Sequence, residues 1–364
     1  MKRKFFEVLT IINGKNQREV EDSNGEYPIY GSGGIIGYAN KFLCPGNTVI
    51  IGRKGNINKP IYVDKPFWNV DTAFGLQADE KMLLPKYLFY FCQRYNFEQH
   101  NKTVTIPSLT KADLLEIDID VPEIDVQKRI CKELDIIDNV IYNRVVALST
   151  LDVLVKSRFI EMFGDPVLNP MGWEVKPLLE MGDCKNGMNF RKGESGIELN
   201  CLGVGDFQNL SVIADTSELP TVSLNAMPSK EYLLENEDIV FVRSNGNKNL
   251  VGRCVAVYPN DTPTVFSGFC IRFRLADRER LTIGYLLQVL KHESMRMKMT
   301  GRGANIQNLN QQILSTLEIP LPPIDIQNQF ADFVALADKS KYAVQQSIDT
   351  LQKLKEKLMQ DYFV

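Results

Sequence analysis

Val121-Pro122-Glu123-Ile124-Asp125-Val126-Gln127 and Leu321-Pro322-Pro323-Ile324-Asp325-Ile326-Gln327 are one segment written twice, 200 residues apart. The match opens upstream, with Ile106-Pro107-Ser108-Leu109 against Ile306-Gln307-Asn308-Leu309, and reaches the quoted segment without a gap. It continues downstream: Tyr142 falls on Tyr342, Leu151 on Leu351, Leu154 on Leu354 and Phe163 on Phe363. A register held through a loop and a helix-length stretch marks a duplicated structural unit, which constrains the architecture before any single element is assigned.

No Gly or Pro occurs between Pro122 and Gly164. Apolar residues there fall at Ile130, Leu134, Ile137, Ile141, Val145, Leu148, Leu151, Val155, Phe159 and Met162, in steps of three and four. That spacing predicts a helix of about 40 residues, roughly 60 Å long, with a seam near the coiled-coil period. Asp125 stands where an N-cap is wanted, and Gly164 before Asp165-Pro166 stops the helix. The second copy carries a heptad through Ala337, Val344, Leu351 and Leu358. Two such helices bury their stripes most simply against each other, as an antiparallel coiled coil with a globular domain at either end. The alternative is that each helix packs on its own domain.

Used as a ruler, the repeat divides the chain into 1–122, 123–164, 165–322 and 323–364. The first and third segments are Gly-punctuated, with short apolar runs such as Thr48-Val49-Ile50-Ile51 that predict strands, so the fold class is α+β. They echo each other weakly. Asn13-Gly14-Lys15-Asn16 resembles Asn186-Gly187-Met188-Asn189, and Lys86-Tyr87-Leu88 resembles Gly284-Tyr285-Leu286 at the start of a helix-like stretch. Thr48-Val49-Ile50-Ile51-Gly52-Arg53 and Asp238-Ile239-Val240-Phe241-Val242-Arg243 share a strand, then an arginine, then a turn with Gly and Asn.

The composition, 44% apolar and 24% charged, is that of a soluble globular protein, without an apolar run able to span a bilayer. The opening Met1-Lys2-Arg3-Lys4-Phe5-Phe6-Glu7 does not develop into a signal peptide, and a cytoplasmic location is expected. Seven cysteines without a CxxC pair predict buried apolar residues rather than a disulfide framework. Two histidines, His100 and His292, leave little for a metal site or a His-based triad.

The net charge of −3 does not itself suggest nucleic acid, but basic residues cluster. Lys41, Arg53, Lys54, Lys59 and Lys65 face one acid, Asp64, in one stretch; Lys291, Arg296, Lys298 and Arg302 face Glu293 in another. Either is a solvated surface or a phosphate-facing patch. Catalytic patterns are weak. Gly31-Ser32-Gly33-Gly34-Ile35-Ile36-Gly37 misses the dinucleotide fingerprint and predicts a turn, and there is no GxxxxGK[ST] phosphate loop. Asn169-Pro170-Met171-Gly172 is not the loop with which an amino-methyltransferase grips a flipped base, and Asp165 with Glu174-Val175-Lys176 is a short nuclease-like match at a linker.

Recognition remains. Arg53, Lys54, Asn56 and Asn58, and Arg243, Ser244, Asn245, Asn247 and Lys248, place forked and amide side chains on turns at strand ends. Arg bonds guanine and Asn bonds adenine bidentately, while Lys and Ser hold phosphates; the same residues are also ordinary hairpin chemistry. Ser32, Lys59, Lys102, Arg302 and Asn305 complete the candidate DNA-binding set.

The order of segments resembles the DNA-specificity subunit of type I restriction-modification systems over essentially the whole chain. The specific marks are Phe159-Ile160-Glu161-Met162-Phe163-Gly164-Asp165-Pro166 with Asn169-Pro170-Met171-Gly172-Trp173, the two copies of the Leu109-to-Gln127 segment, and Tyr27-Pro28-Ile29-Tyr30-Gly31. The resemblance implies two target-recognition domains, each reading half of a split site in double-stranded DNA, and helices that dock two methyltransferase subunits. It further implies restriction/translocase subunits outside them, with S-adenosylmethionine, ATP and Mg bound by those partners and no cofactor or catalysis in this chain. Two readers at fixed separation suit a split site, because a DNA turn is about 34 Å and one base pair rotates a half-site by roughly 35°. Alternatives are a related system that only methylates, a fused-nuclease type, and a scaffold that does not bind DNA.

Overall fold

The computed structural model describes residues 1–101, 107–191, 193–207, 210–300 and 308–363, Lys248 without its side chain. Two compact units are present, one of Met1–Leu148 with Ala343–Val364 and the other of Ser149–Tyr342.

The first unit holds a four-stranded antiparallel sheet in the order Leu9–Asn13, Ala73–Ala78, Thr48–Gly52, Ile61–Val63. All five residues of Thr48–Gly52 are buried, which a strand between two neighbours needs when both its faces are covered. Tyr27–Gly31 and Gly34–Ala39 form a hairpin joined to Trp68–Asn69, and the Ser32-Gly33 pair is its turn. Lys2–Lys4 pairs with Asp118–Asp120. One face of the larger sheet is covered by the helix Pro85–Arg94, whose Tyr87, Leu88 and Phe91 join Val49, Ile51, Phe74 and Leu76 in one core.

The second unit repeats that plan with additions. Its main sheet runs Gly182–Asn186, Cys270–Leu275, Asp238–Val242, Cys254–Val257, Val212–Ile213, the last pair parallel. Asp238–Val242 is buried throughout, as its counterpart is. Glu174–Pro177 pairs with Glu318–Leu321, and the helix Ile283–Lys291 covers the sheet through Tyr285, Leu286 and Val289.

Helices of 40 and 39 residues, Ile124–Phe163 and Ile324–Tyr362, follow the repeated segments. They run antiparallel within each unit. In the first, Asp138 pairs with Lys355 at 2.6 Å and Glu133 accepts a hydrogen bond from Tyr362. In the second, Asp152 pairs with Lys341 at 2.8 Å, while Phe159 and Phe163 meet Phe330. An aromatic at the C-terminal end of each helix is built into a core: Phe163 packs edge-on to Tyr285 at 4.7 Å, and Phe363, the residue after the second helix, against Tyr87 at 5.0 Å.

A buried glutamine fastens each domain to its helix. Gln127 accepts from the Leu84 amide and donates to the Met82 and Pro122 carbonyls, each at 2.8 Å. Gln327 accepts from the Thr282 amide and donates to the Arg280 and Pro322 carbonyls at 2.9, 2.9 and 2.8 Å.

Two expectations need correction. The first long helix begins at Ile124, so Asp125 lies inside its first turn, where it favours the positive helix end, and is not the cap. Val145 is half exposed rather than covered. Two successive steps of four, Ile137 to Ile141 to Val145, rotate it about 80° off the stripe at ~100° per residue, and Leu148 returns to it. All seven cysteines are unpaired, six of them buried.

Candidate nucleic-acid interface

In the first unit the buried strand Thr48–Gly52 delivers the chain to Arg53. The Arg53 amide donates to the Thr72 carbonyl at 2.8 Å, its carbonyl accepts from the Leu109 amide at 2.9 Å, and Lys54 bridges to Ser108. Gly55, at φ +80°, turns the chain back in a conformation that disfavours a side chain, and its amide donates to Pro107. Arg53 and Lys54 are exposed, the guanidinium standing 5.8 Å from the Phe74 ring centre.

The hairpin turn comes to the same place. A side chain at Gly52 would meet the Asn56 carbonyl oxygen at 2.4 Å and Cβ of Ser32 at 3.1 Å, and one at Gly33 would meet Asn56 Nδ2 at 3.6 Å. Ser32, Arg53, Lys54 and Asn56 therefore share one surface. Asn58 does not extend it, because its side-chain amide is committed within the unit, donating to Asn96 Oδ1 at 3.1 Å and accepting from the Phe97 amide at 2.7 Å. Lys59 lines a separate groove with Arg94, Lys355 and Gln360. Lys102 lies outside the described residues.

The second unit places Arg243 in the same frame. Its amide donates to the Phe269 carbonyl and its carbonyl accepts from the Leu309 amide, both at 2.8 Å, and Ser244 bridges to Asn308. Leu109 and Leu309, 200 residues apart, thus brace equivalent turns from the repeated segment. The side chains differ. Arg243 Nη1 donates to the Gly268 carbonyl at 3.3 Å, and Asn245 and Asn247 use their side-chain oxygens to cap the amides of Asn247 and Asn249. The Lys248 side chain, Arg302 and Asn305 lie outside the described residues.

Two of the nuclease-like trio, Asp165 and Glu174, are engaged elsewhere, and Lys176 lies in the strand Glu174–Pro177. Asp165 accepts from the Val167 and Leu168 amides and from Ser294, and Glu174 pairs with Arg280 at 2.7 Å. Among the described residues no group of three His, Cys, Asp or Glu side chains is arranged for a metal, and no helix is long and apolar enough to cross a membrane.

What sequence reasoning did not find are the two acceptors, Thr72 and Phe269, on which the arginine turns rest, and the paired glutamines. Only the second had a visible signal, a polar residue identical at the 200-residue offset.

A family model described as the type I restriction modification DNA specificity domain matches residues 1–145 and 170–362. The StySPI type I restriction enzyme specificity subunit of Salmonella potsdam is 24% identical over 351 residues, spanning 88% of this chain and 74% of that protein. The EcoKI specificity subunit of Escherichia coli K12 is 25% identical over 203 residues, 52% of this chain and 42% of its own length. Among solved structures, the type I restriction-modification S subunit of M. genitalium aligns with a TM-score of 0.60 at 17% identity, covering 100% of this chain and 96% of that one. A chain of a type I R-M system aligns with a TM-score of 0.61 at 15% identity, covering 100% and 97%. At such identities the two structures speak for the fold alone.

Proposed function

The chain belongs to the type I restriction-modification DNA specificity family, and from that premise we propose that it supplies sequence recognition to a complex whose catalysis resides in other subunits. Residues 1–122 and 165–322 are the two readers, each addressing one half of a split, asymmetric site in double-stranded DNA. The helices of 123–164 and 323–364 set the spacing between half-sites and dock methyltransferase subunits, with restriction subunits joining the same assembly.

The observation that carries this reading is the pair of arginine turns. Arg53 and Arg243 leave equivalent buried strands, donate to equivalent carbonyls and are braced by Leu109 and Leu309, yet the residues after them differ. A fixed backbone posture with different side chains is what two readers of different half-sites need. Ser32, Arg53, Lys54 and Asn56 in one unit, and Arg243, Ser244, Asn245 and Asn247 in the other, are the proposed contacts, arginine and asparagine to base edges and lysine and serine to phosphates. The low overall charge is in keeping with partner subunits supplying many phosphate contacts.

Co-expression with a methyltransferase partner, followed by sequencing of the modified bases, tests this. Methylated adenines in one split, asymmetric motif are expected. Methylation in a continuous motif, or none with an active partner, would overturn the assignment.

A further inference from the structure

Of the glycine-rich stretch Gly31-Ser32-Gly33-Gly34-Ile35-Ile36-Gly37, the proposed contacts use only Ser32. Its two isoleucines are left in solvent, Ile35 54% exposed and Ile36 57%. Adjacent residues of a regular strand face opposite sides of a sheet, so one of such a pair is ordinarily covered. Here Ile29 pairs with Gly37 and Tyr30 with Ile35, which leaves Ile36 as an extra, bulged residue. A bulge bends its strand and re-aims a side chain, and bulges concentrate beside functional sites. Ile36 lies over Gly31, where an added Cβ would stand 3.8 Å from its Cγ2 and 4.0 Å from its Cδ1. Gly31 precedes Ser32, so Ile36 adjoins the surface that Ser32 shares with Arg53, Lys54 and Asn56.

The shape of the tip fits one kind of groove. Trp68–Asn69 pairs with Ile29 and Tyr30 only, so Gly31 to Gly34 leave the sheet as a two-stranded tip. The major groove of B-DNA, about 12 Å wide, admits a two-stranded ribbon, and the apolar feature displayed in it is the thymine 5-methyl group. Tyr38 extends the apolar surface along the same edge strand, and exposed apolar patches also serve protein partners. The adjoining arginine, lysine and asparagine favour DNA, because these are the side chains that bond phosphates and base edges.

The second unit diverges at this very point. Ile197–Leu202 pairs antiparallel with Thr221–Leu224 and parallel with Thr264–Phe266, the pattern of Tyr27–Gly31 with its two neighbours. Residues 203–220 stand where the first unit has Ser32 and Gly33 alone. A common three-stranded frame that differs in what joins two of its strands suits an element that reads different sequence in each domain.

We propose that Ile35 and Ile36, at the tip of this hairpin, read a thymine 5-methyl group in the major groove of the half-site addressed by residues 1–122. This assignment rests on the reading of DNA proposed above and adds to it the chemistry of one base pair.

The test uses the full-length chain with its methyltransferase partner, on duplexes carrying the methylated motif. Each thymine of the motif is replaced singly by uracil, which deletes the 5-methyl group and keeps the hydrogen-bonding edges. For the wild type, one thymine is expected to cost about fourfold in binding when replaced, the worth of one buried methyl group. That thymine lies in the half-site that is kept when residues 165–322 are exchanged. The same uracil is expected to cost Ile35→Ala/Ile36→Ala nothing, while that variant binds the thymine duplex at least about fourfold more weakly and keeps wild-type thermal stability, since both side chains are exposed. A wild type indifferent to every uracil, or a variant as sensitive as the wild type, overturns the methyl contact and leaves the reading of DNA standing. Weaker capture of the methyltransferase partner by the variant in the absence of DNA assigns the patch to that protein and overturns the contact as well. A wild-type complex that discriminates no sequence removes the reading of DNA and the methyl contact together.

Discussion

Gln127 and Gln327 are fully buried amides in the first turns of the two long helices, each with its oxygen and both amide hydrogens committed to backbone groups. Leucine at either position fills similar space but orphans one buried N–H and two carbonyls. At about 1–3 kcal/mol for each buried group left unsatisfied, Gln127→Leu and Gln327→Leu are expected to lower unfolding free energy by several kcal/mol in urea titrations of the full-length chain. The arginines of the turns give a residue-scale prediction of the opposite kind. Arg53→Lys and Arg243→Lys keep the charge but lose the fork, so each is expected to relax discrimination at one base pair of one half-site by about 1–3 kcal/mol while leaving general DNA affinity nearly intact. Methylation rates on duplexes carrying single substitutions in the site would show it, and uniform loss across all duplexes would speak against a base contact.

At the scale of elements, the junction after the first long helix is an electrostatic device. Gly164, at φ +76°, ends the helix, and Asp165 gathers the Val167 and Leu168 amides and the Ser294 hydroxyl. Burial raises the Asp165 carboxyl, but those hydrogen bonds and nearby His292 outweigh it and hold the group below its usual range. A depressed folded-state value means that the carboxylate stabilises the protein above about pH 4, the unfolded-chain value, and that this contribution is lost as pH falls through the folded value. Asp165→Asn should therefore be less stable than wild type at pH 7, with the difference shrinking in acid. A difference that is constant from pH 7 to pH 3 would contradict that account.

Much at this scale was legible in the sequence because periodicity and the repeat are strong, local signals. The long helices, the strand leading to each arginine and the helices at Tyr87 and Tyr285 all follow from runs of neighbouring residues. Properties that depend on distant partners were not legible. Asn58 looks like a turn residue ready for a base until Asn96 and Phe97 close on it. Gln127 resembles a solvated helix residue until the Met82-to-Leu84 loop and Pro122 surround it.

For the whole molecule, the proposed function has duplication supplying a common mount and divergence supplying the readers. The repeat is strictest from Leu109 to Gln127 and from Leu309 to Gln327, where it makes the turn brace, the glutamine lock and the start of each long helix. It is loosest in the remainder of 1–122 and 165–322, where the proposed contacts lie. If readers and mount are separable in this way, recognition can be changed in one half without disturbing the other. The most direct test replaces residues 165–322 by the equivalent region of a relative with a different target, restores the methyltransferase partner, and sequences the modified bases. A motif in which one half changes while the other half and the spacer are kept is the predicted result. A change in both halves, or an unaltered motif, would contradict the assignment of one reader to each half-site.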